Sequence, residues 1–368
     1  MGLNELEQLG GWPGVLGLLV RREEIGGDMA AAALRVILEG EATDAQIAAF
    51  ITLLHAKGET VDELAAMVRT MLELAEPIPL PSGLSTADVI DTCSTGGSPQ
   101  RRIGAFNVST ISSFVVAGAG AKVTKHGGPA ATATSSSAGL MEELGVQIAL
   151  GPAGVKRCLS EAGMAFCFAP RFHAAARHAR PVRGELRVPT IFNFVNALSN
   201  PVRPRRQILG VSSPPLAETM LGVMQANGSV SAMVVFGHDG LDELTVTTTS
   251  TAIQWRDGEQ RTMTVDPGAV GVPLLTAAEV RGGDPAENAA LARRVLDGER
   301  IPHREVVVLN AAAGIVVAGL CDTLADGVEA ARAAIDDGRA ASVLERLVAA
   351  SQAAAEAGET WSMRRSSG

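Results

Sequence analysis

Four stretches of this chain carry residue types that bind charge. The first is Asp91-Thr92-Cys93-Ser94-Thr95-Gly96-Gly97-Ser98, which leaves an apolar run and precedes a segment starting Asn107-Val108-Ser109-Thr110. A glycine pair at a strand end lets the backbone approach a ligand and turn N–H groups toward an anion. A helix start adds unpaired N–H groups and small hydroxyls suited to phosphate. The second stretch is Lys125-His126-Gly127-Gly128-Pro129-Ala130, with Thr132, Thr134, Ser135, Ser136 and Ser137 behind it. A cation, a glycine-rich turn and hydroxyls together suit a pyrophosphate. The third holds Arg171, His173, Arg177, His178, Arg180, Arg183 and Arg187. Helical spacing puts His173, Arg177 and Arg180 on one face, and a guanidinium can hold a carboxylate through two parallel hydrogen bonds. The fourth, Asp239-Gly240-Leu241-Asp242-Glu243, offers adjacent carboxylates that can hold Mg²⁺ directly or through its waters. Each stretch has a plainer alternative: a tight turn with an N-cap, a solvated glycine loop, a solvated basic helix, an acidic turn. The glycine motifs fit neither the dinucleotide nor the P-loop pattern. No spacing establishes a Ser-His-Asp arrangement, so no side chain is assigned as acid or base.

These loops need elements to hold them. Short apolar runs at 89–92, 121–124, 165–168, 208–211 and 233–236 read as buried strands. Helix-length amphipathic stretches cover 107–117, 137–144, 154–162, 215–226, 285–296 and 304–318. The alternation predicts an α/β domain with a mainly parallel central sheet, and ligands then belong beyond the carboxyl ends of its strands. Residues 13–76 differ, reading as helix throughout. Thr43 with Gln46, and Thr60 with Glu63, have capping-box spacing, and Gly58 is a C-terminal cap between them. Ile47, Phe50, Ile51 and Leu54 share one face of the first helix, and Leu64, Met67, Met71 and Leu74 follow the second cap. Pro77, Pro79 and Pro81 end the run and mark a hinge. The expected organisation is a small helical domain at 1–80, serving dimerisation and part of the hinge, an α/β domain at 81–358 and a polar tail at 359–368.

Composition narrows the function. The chain has 368 residues, 46% apolar and 19% charged, which supports a substantial core. Its 31 Lys and Arg against 40 Asp and Glu leave a net −9, opposing a nucleic-acid binder while permitting an anionic substrate. Cys93, Cys158, Cys167 and Cys321 lack metal-ligand spacing and read as buried free thiols. The acidic first ten residues carry no signal-peptide pattern, and no apolar run approaches the ~18 residues of a membrane span. The expectation is a cytoplasmic protein.

In this order and at these separations, the four stretches resemble anthranilate phosphoribosyltransferase, an enzyme family of tryptophan synthesis. The likeness runs from about residue 13 to 355 and includes Arg183-Gly184-Glu185-Leu186, Thr190-Ile191-Phe192-Asn193 and Asn200-Pro201. It implies a Mg²⁺-dependent homodimer that takes 5-phosphoribosyl 1-pyrophosphate and a small aromatic acid, with no redox cofactor. It assigns Gly97, Asn107, Ser109, Thr110, Lys125 and Ser137 to the donor, with Ser94, Ser98, His126 and Gly127 beside them. It assigns Ser94, Gly128 and Arg183 to the acceptor, Arg183 meeting its carboxylate, and Ser109, Asp242 and Glu243 to the metal.

The departures gather around both substrates. Ser98 stands where the family carries Asp, and the loop beyond it is about three residues longer and holds Arg101 and Arg102. Ala105 replaces a Thr, Gly128-Pro129 replaces Asn-Arg, and Asn196-Ala197-Leu198 replaces Gly-Pro-Leu. The resemblance implies transfer to the amine of anthranilate itself; the changes add the alternative of a paralogue acting on another aromatic acid, with Arg101 or Arg102 replacing lost donor contacts. Two further readings stay open: a pyrimidine nucleoside phosphorylase, whose Lys-His-Ser-Thr-Gly-Gly run this chain lacks, and a non-enzymatic nucleic-acid-binding relative, which the net charge opposes.

Overall fold

The computed structural model describes residues 2–96, 106–129 and 135–360. Five helices come first: α1 (Gly2–Gln8), α2 (Gly11–Val20), α3 (Gly26–Glu39), α4 (Asp44–Lys57) and α5 (Val61–Glu73). Both capping boxes form. Thr43 Oγ1 accepts the Gln46 N–H at 3.3 Å and Gln46 Oε1 accepts the Thr43 N–H at 2.9 Å; Thr60 and Glu63 repeat the exchange. Gly58 caps α4 at φ 92°, a conformation that favours glycine. The Glu63 carboxylate also accepts the Ile25 N–H at 3.0 Å and the Lys57 ammonium at 2.9 Å, tying the start of α3 and the end of α4 to α5. No helix or strand lies between Glu73 and Val89, the span that holds the three prolines.

Seven strands follow: β1 (Val89–Ser94), β2 (Lys122–Gly127), β3 (Met164–Phe168), β4 (Arg206–Gly210), β5 (Ser231–Gly237), β6 (Ser250–Arg256) and β7 (Glu259–Val265). They form one sheet in the order β3-β2-β1-β4-β5-β6-β7. The pairs from β3 to β5 are parallel, and β6 and β7 are antiparallel additions. The fold class is that expected: a small helical N-terminal part and a large α/β part on a mostly parallel sheet. The β6–β7 hairpin was not anticipated. Its two-residue turn, Asp257-Gly258, has φ values of 54° and 81°, as a tight hairpin with the right twist requires.

Helices cover both faces of the parallel strands. On one side lie α6 (Val108–Gly118), α7 (Ser137–Glu143) and α8 (Pro152–Ala162). The same side receives α13 (Pro285–Leu296), α14 (Pro302–Ala318), α15 (Leu324–Asp336) and α16 (Arg339–Glu356). The short α9 (Ala169–Phe172) also puts Phe172 into the apolar cluster on this side, while α10 (Arg180–Leu186), α11 (Ile191–Leu198) and α12 (Pro214–Ala226) lie toward the other side. Alternation along the strands divides the interior. Ile208, Met233 and Val235 face the first helix layer, whereas Leu209, Ala232, Val234 and Phe236 face the second. The second cluster is shared by α10–α12 and the N-terminal helices, so Phe50, Leu64 and Met67 pack in one apolar body with Phe192, Met220 and Leu221. Burying a side chain of this size contributes about 2 kcal/mol.

Helices α15 and α16 lie beyond those read from the sequence. The basic stretch departs further, because it is not one helix. α9 stops before His173, a 3₁₀ turn spans Ala174–Ala179, and α10 starts at Arg180. Pro170 and Pro181 each occupy a first-turn position, where a missing N–H costs least, and neither fits inside a longer helix. His173 is buried as a result, while Arg177 and Arg180 are exposed, so the three do not share a face. Cys93, Cys158 and Cys167 are buried free thiols and Cys321 is half-buried. Glu359 and Thr360, placed at the head of a polar tail, pair with residues 150–151, the Gly151 N–H reaching Glu359 O at 2.7 Å. No helix among the described residues is long and apolar enough to cross a membrane.

Candidate active site at the carboxyl ends of the parallel strands

From β1 the chain steps outward through β2 to β3, then returns to β4 and proceeds to β5. Between β1 and β4 the direction of travel reverses, and such a reversal opens a crevice beyond the strand ends. The two strands are joined there by the Thr95 N–H, which donates to Gly210 O at 2.9 Å.

One wall of this crevice is cationic. Lys125, on β2, is only 2% exposed, and its ammonium donates to Thr92 O and, at 3.4 Å, to Ser109 Oγ. Thr92 Oγ1 donates to Ser109 O at 3.2 Å and exchanges a 2.6 Å hydrogen bond with Ser113. Strand β1, strand β2 and the first turn of α6 are thereby locked together. Asn107 and Thr110 are buried at that helix start and Ser109 is half-buried. Asn107 Oδ1 accepts from Ser135 at 2.8 Å and from Asn288 at 2.9 Å. Ser137 opens α7 directly beneath Gly127, where a Cβ would stand 2.3 Å from its hydroxyl oxygen and 3.0 Å from the Phe166 ring, so a side chain there would force both to shift. A Cβ at Gly128, in contrast, would meet Ala169 and Pro170 at ordinary contact distances of 3.5 and 3.7 Å.

The opposite wall is acidic. The loop after β5 carries Asp242 and Glu243, 0% and 3% exposed. Asp242 Oδ2 accepts the Gly96 N–H at 3.0 Å, bridging the loops after β1 and β5. The approach is close: a Cβ on Gly210 would lie 1.8 Å from Asp242 O. Asp239 organises the turn, accepting from Thr245 and Thr247 hydroxyls at 2.7 and 2.6 Å and from the Leu241 N–H at 3.1 Å. Asn310 of α14 grips the far side of the loop, accepting the Leu244 N–H and donating to Leu244 O at 2.9 and 2.8 Å. The two adjacent carboxylates are hard oxygen donors, the set that suits a Mg²⁺ completing its shell from water and phosphate. Among the described residues no third His, Cys, Asp or Glu joins them.

Beneath the cationic wall, Asp91 is fully buried and accepts the His126 N–H at 3.1 Å. Burial raises its pKa from 3.8 to about 6, against the opposing pull of Lys125. His126 and His173 meet edge to face at 5.2 Å, and desolvation keeps both neutral, His173 at about 4 and His126 well below the usual imidazole value. His173 Nε2 hydrogen-bonds Ser199 O at 2.7 Å. The structure therefore gathers Ser94, Asn107, Ser109, Thr110, Lys125, His126, Gly127, Gly128, Ser137, Asp242 and Glu243 at or under the strand ends. Gly97, Ser98, Arg101 and Arg102 lie outside the described residues. Arg183 is on α10, its guanidinium 5.1 Å over the Phe192 ring. Burial, with Arg180 nearby, lowers its pKa.

Sequence reasoning passed over Asp91 as a buried anchor and missed Asn288 and Asn310 entirely. Asn310 had a signal, a lone amide within the apolar helix 306–317; Asn288 had only its place after the capping box Asp284/Glu287.

Two family descriptions match the chain, "Glycosyl transferase family, helical bundle domain" over residues 14–75 and "Glycosyl transferase family, a/b domain" over residues 86–341. Similar sequences include the anthranilate phosphoribosyltransferase of Methylorubrum populi, 45% identical over 89% of this chain and 94% of that protein. That of Chloroflexus aggregans is 45% identical over 91% and 96%. The crystal structure of anthranilate phosphoribosyltransferase from Thermus thermophilus superposes with a TM-score of 0.84 at 35% identity, covering 92% of this chain and 99% of that one. The Saccharomyces cerevisiae enzyme in complex with PRPP and Mg, at 24% identity and a TM-score of 0.79 over 96% and 98% of the two chains, shares the fold.

Proposed function

Because the chain belongs to the anthranilate phosphoribosyltransferase family of glycosyl transferases, we propose that it moves the phosphoribosyl group of 5-phosphoribosyl 1-pyrophosphate onto the amine of anthranilate, releasing pyrophosphate, as a step of tryptophan synthesis. One observation carries this reading. A buried lysine beside a hydroxyl-lined helix start and a pair of buried carboxylates both sit at the carboxyl ends of the parallel strands, and a Gly96–Asp242 hydrogen bond ties the loop after β1 to the acidic loop. That arrangement suits a ligand carrying a phosphate and a pyrophosphate, for which the carboxylates would hold Mg²⁺.

The work of the residues follows from their positions. Lys125, Asn107, Ser109, Thr110 and Ser137 hold the donor's phosphates through a fixed cation, amide and hydroxyl groups, with Ser94, Ser98, His126, Gly127 and the glycine backbone at 97 lining the same pocket. Asp242 and Glu243 would hold Mg²⁺, with Ser109 as a further hydroxyl ligand, and the ion would supply neutralisation of the departing pyrophosphate. Bond breaking leaves positive charge at the anomeric carbon of the ribose, and the amine forms the new C–N bond from the opposite face. Ser94, Gly128 and Arg183 orient that amine through the ring and its carboxylate. No strong base is needed, because the anilinium formed is acidic enough to lose its proton to water. His126 and His173, both held neutral by burial, supply no charge to the site.

The setting taken with this reading is a cytoplasmic homodimer, and sedimentation of the purified protein tests the assembly. The assay that decides the function follows anthranilate consumption with 5-phosphoribosyl 1-pyrophosphate and Mg²⁺. Absence of turnover would end the reading. A panel of aminobenzoates extends the test to another aromatic-acid acceptor, because Gly128-Pro129 stands where the family carries Asn-Arg. Ordinary turnover of anthranilate with rejection of the other acids removes that variant of the proposal.

A further inference from the structure

We propose that Asn288, on α13, is a positioning residue that fixes which end of the Asn107 amide faces the donor pocket; this rests on reading the site as a pyrophosphate pocket. An asparagine amide has nearly the same shape either way round, yet one end donates and the other accepts. Here a backbone group settles the order. The Gly283 N–H can only donate, and it reaches Asn288 Oδ1 at 2.8 Å. Asn288 Nδ2 is therefore the end turned toward α6, where it donates to Asn107 at 2.9 Å. The receiving atom must be an acceptor, which makes it Oδ1. Ser135 donates to the same oxygen at 2.8 Å. With both lone pairs of Oδ1 engaged, every other direction from the Asn107 amide presents N–H. An amide N–H attracts a phosphate oxygen, whereas a carbonyl in its place would repel one.

The chain around Asn288 is built to hold this contact. Asn288 is fully buried and Asn107 is 4% exposed, so neither amide turns freely in water. Gly283 meets the Asn288 amide twice, its N–H donating to Oδ1 at 2.8 Å and its carbonyl accepting from Nδ2 at 3.4 Å. Phe106, preceding Asn107, packs edge-on against His303 at 4.8 Å, and His303 Nε2 hydrogen-bonds Arg281 O at 2.8 Å. One short segment, 281–284, thus braces both residues that lead into α6.

Asn288→Asp tests the claim. Aspartate keeps an acceptor for the Gly283 N–H but replaces the donor with an oxygen, which turns the Asn107 NH₂ inward and its carbonyl toward the pocket. The dissociation constant of inorganic pyrophosphate with Mg²⁺, and KM for the donor, should rise about tenfold to a hundredfold, as expected for one lost hydrogen bond to a charged group. KM for anthranilate should stay unchanged. Asn288→Ala, which buries no charge, should give the same pattern with a rise of about threefold to tenfold. In an Asn107→Ala background either change should add little, because its route of action has gone. Unaltered pyrophosphate affinity in both Asn288 variants, or an undiminished effect without Asn107, would overturn the inference. A wild-type protein that binds no pyrophosphate would instead sink the reading of the pocket, and this inference with it.

Discussion

The two walls of the strand-end crevice position charge by different means. On the β1–β2 side the cation sits inside a strand: Lys125 is placed by sheet register, and its ammonium bonds to Thr92 O on the neighbouring strand. On the β5 side the charges sit on a loop, and Asp242 and Glu243 are placed by the side chains of others, chiefly Asn310 and Asp239, and by the fit against Gly210. A strand charge is hard to displace and hard to replace. A loop charge depends on anchors that lie far away in sequence.

The sharpest break in this comparison is Lys125→Met. It removes the fixed cation and leaves Asp91 without its buried counter-charge, so kcat/KM should fall about a thousandfold, near 4 kcal/mol, with a clear drop in stability. Glu243→Gln should cost less, about a hundredfold, and part of that loss should be recovered by raising Mg²⁺ in a rate titration. A magnesium-independent deficit would show that Glu243 does not hold the metal. Asn310→Ala should lower activity about tenfold while costing about 2 kcal/mol of stability, through the unsatisfied Leu244 backbone groups. Chemical denaturation alongside kinetics checks it, and an effect on stability alone would mean that the loop does not need its distant anchor.

The mildest test concerns pH. The Asp91 carboxyl, raised from 3.8 to about 6, binds a proton more readily in the folded state. Its contribution to stability is full below pH 3.8 and is lost as pH rises through about 6. His173, lowered from 6.5 to about 4, does the reverse, contributing above pH 6.5 and losing that contribution as pH falls through 4. Between pH 4 and 6 the two slopes oppose each other. Asp91→Asn removes one of them, so its denaturation midpoint should climb more steeply with pH than that of the wild type. Parallel profiles would reject the buried-carboxyl account.

What the sequence showed follows the same physical divide. The five parallel strands are buried on both faces and announce themselves as apolar runs, β5 being buried at all seven positions. β6 and β7 carry Thr, Gln and Arg along a partly solvated edge, so no run marks them, although Asp257-Gly258 is a recognisable hairpin signal. The charged loops were visible because glycine, lysine and paired acids cluster locally. Their partners were not. Gly96 and Asp242 are 146 positions apart, and Asn107 and Asn288 are 181 apart, separations that no local pattern connects. The basic stretch misled because α-helical spacing was applied across 173–180, where the chain instead forms a 3₁₀ turn between α9 and α10.

The apolar body common to the N-terminal helices, α10–α12 and one face of β4 and β5 has a bearing on how such proteins can be recombined. Its members come from positions 6–71 and again from 179–253, with Cys93 alone between them. A single crossover in the intervening chain joins half of one parent's interior to half of another's, and neither half has been selected against its new partner. A double crossover that exchanges only 94–178 leaves that interior with one parent. Chimeras of the second kind should therefore survive at sequence distances where the first kind fail to express.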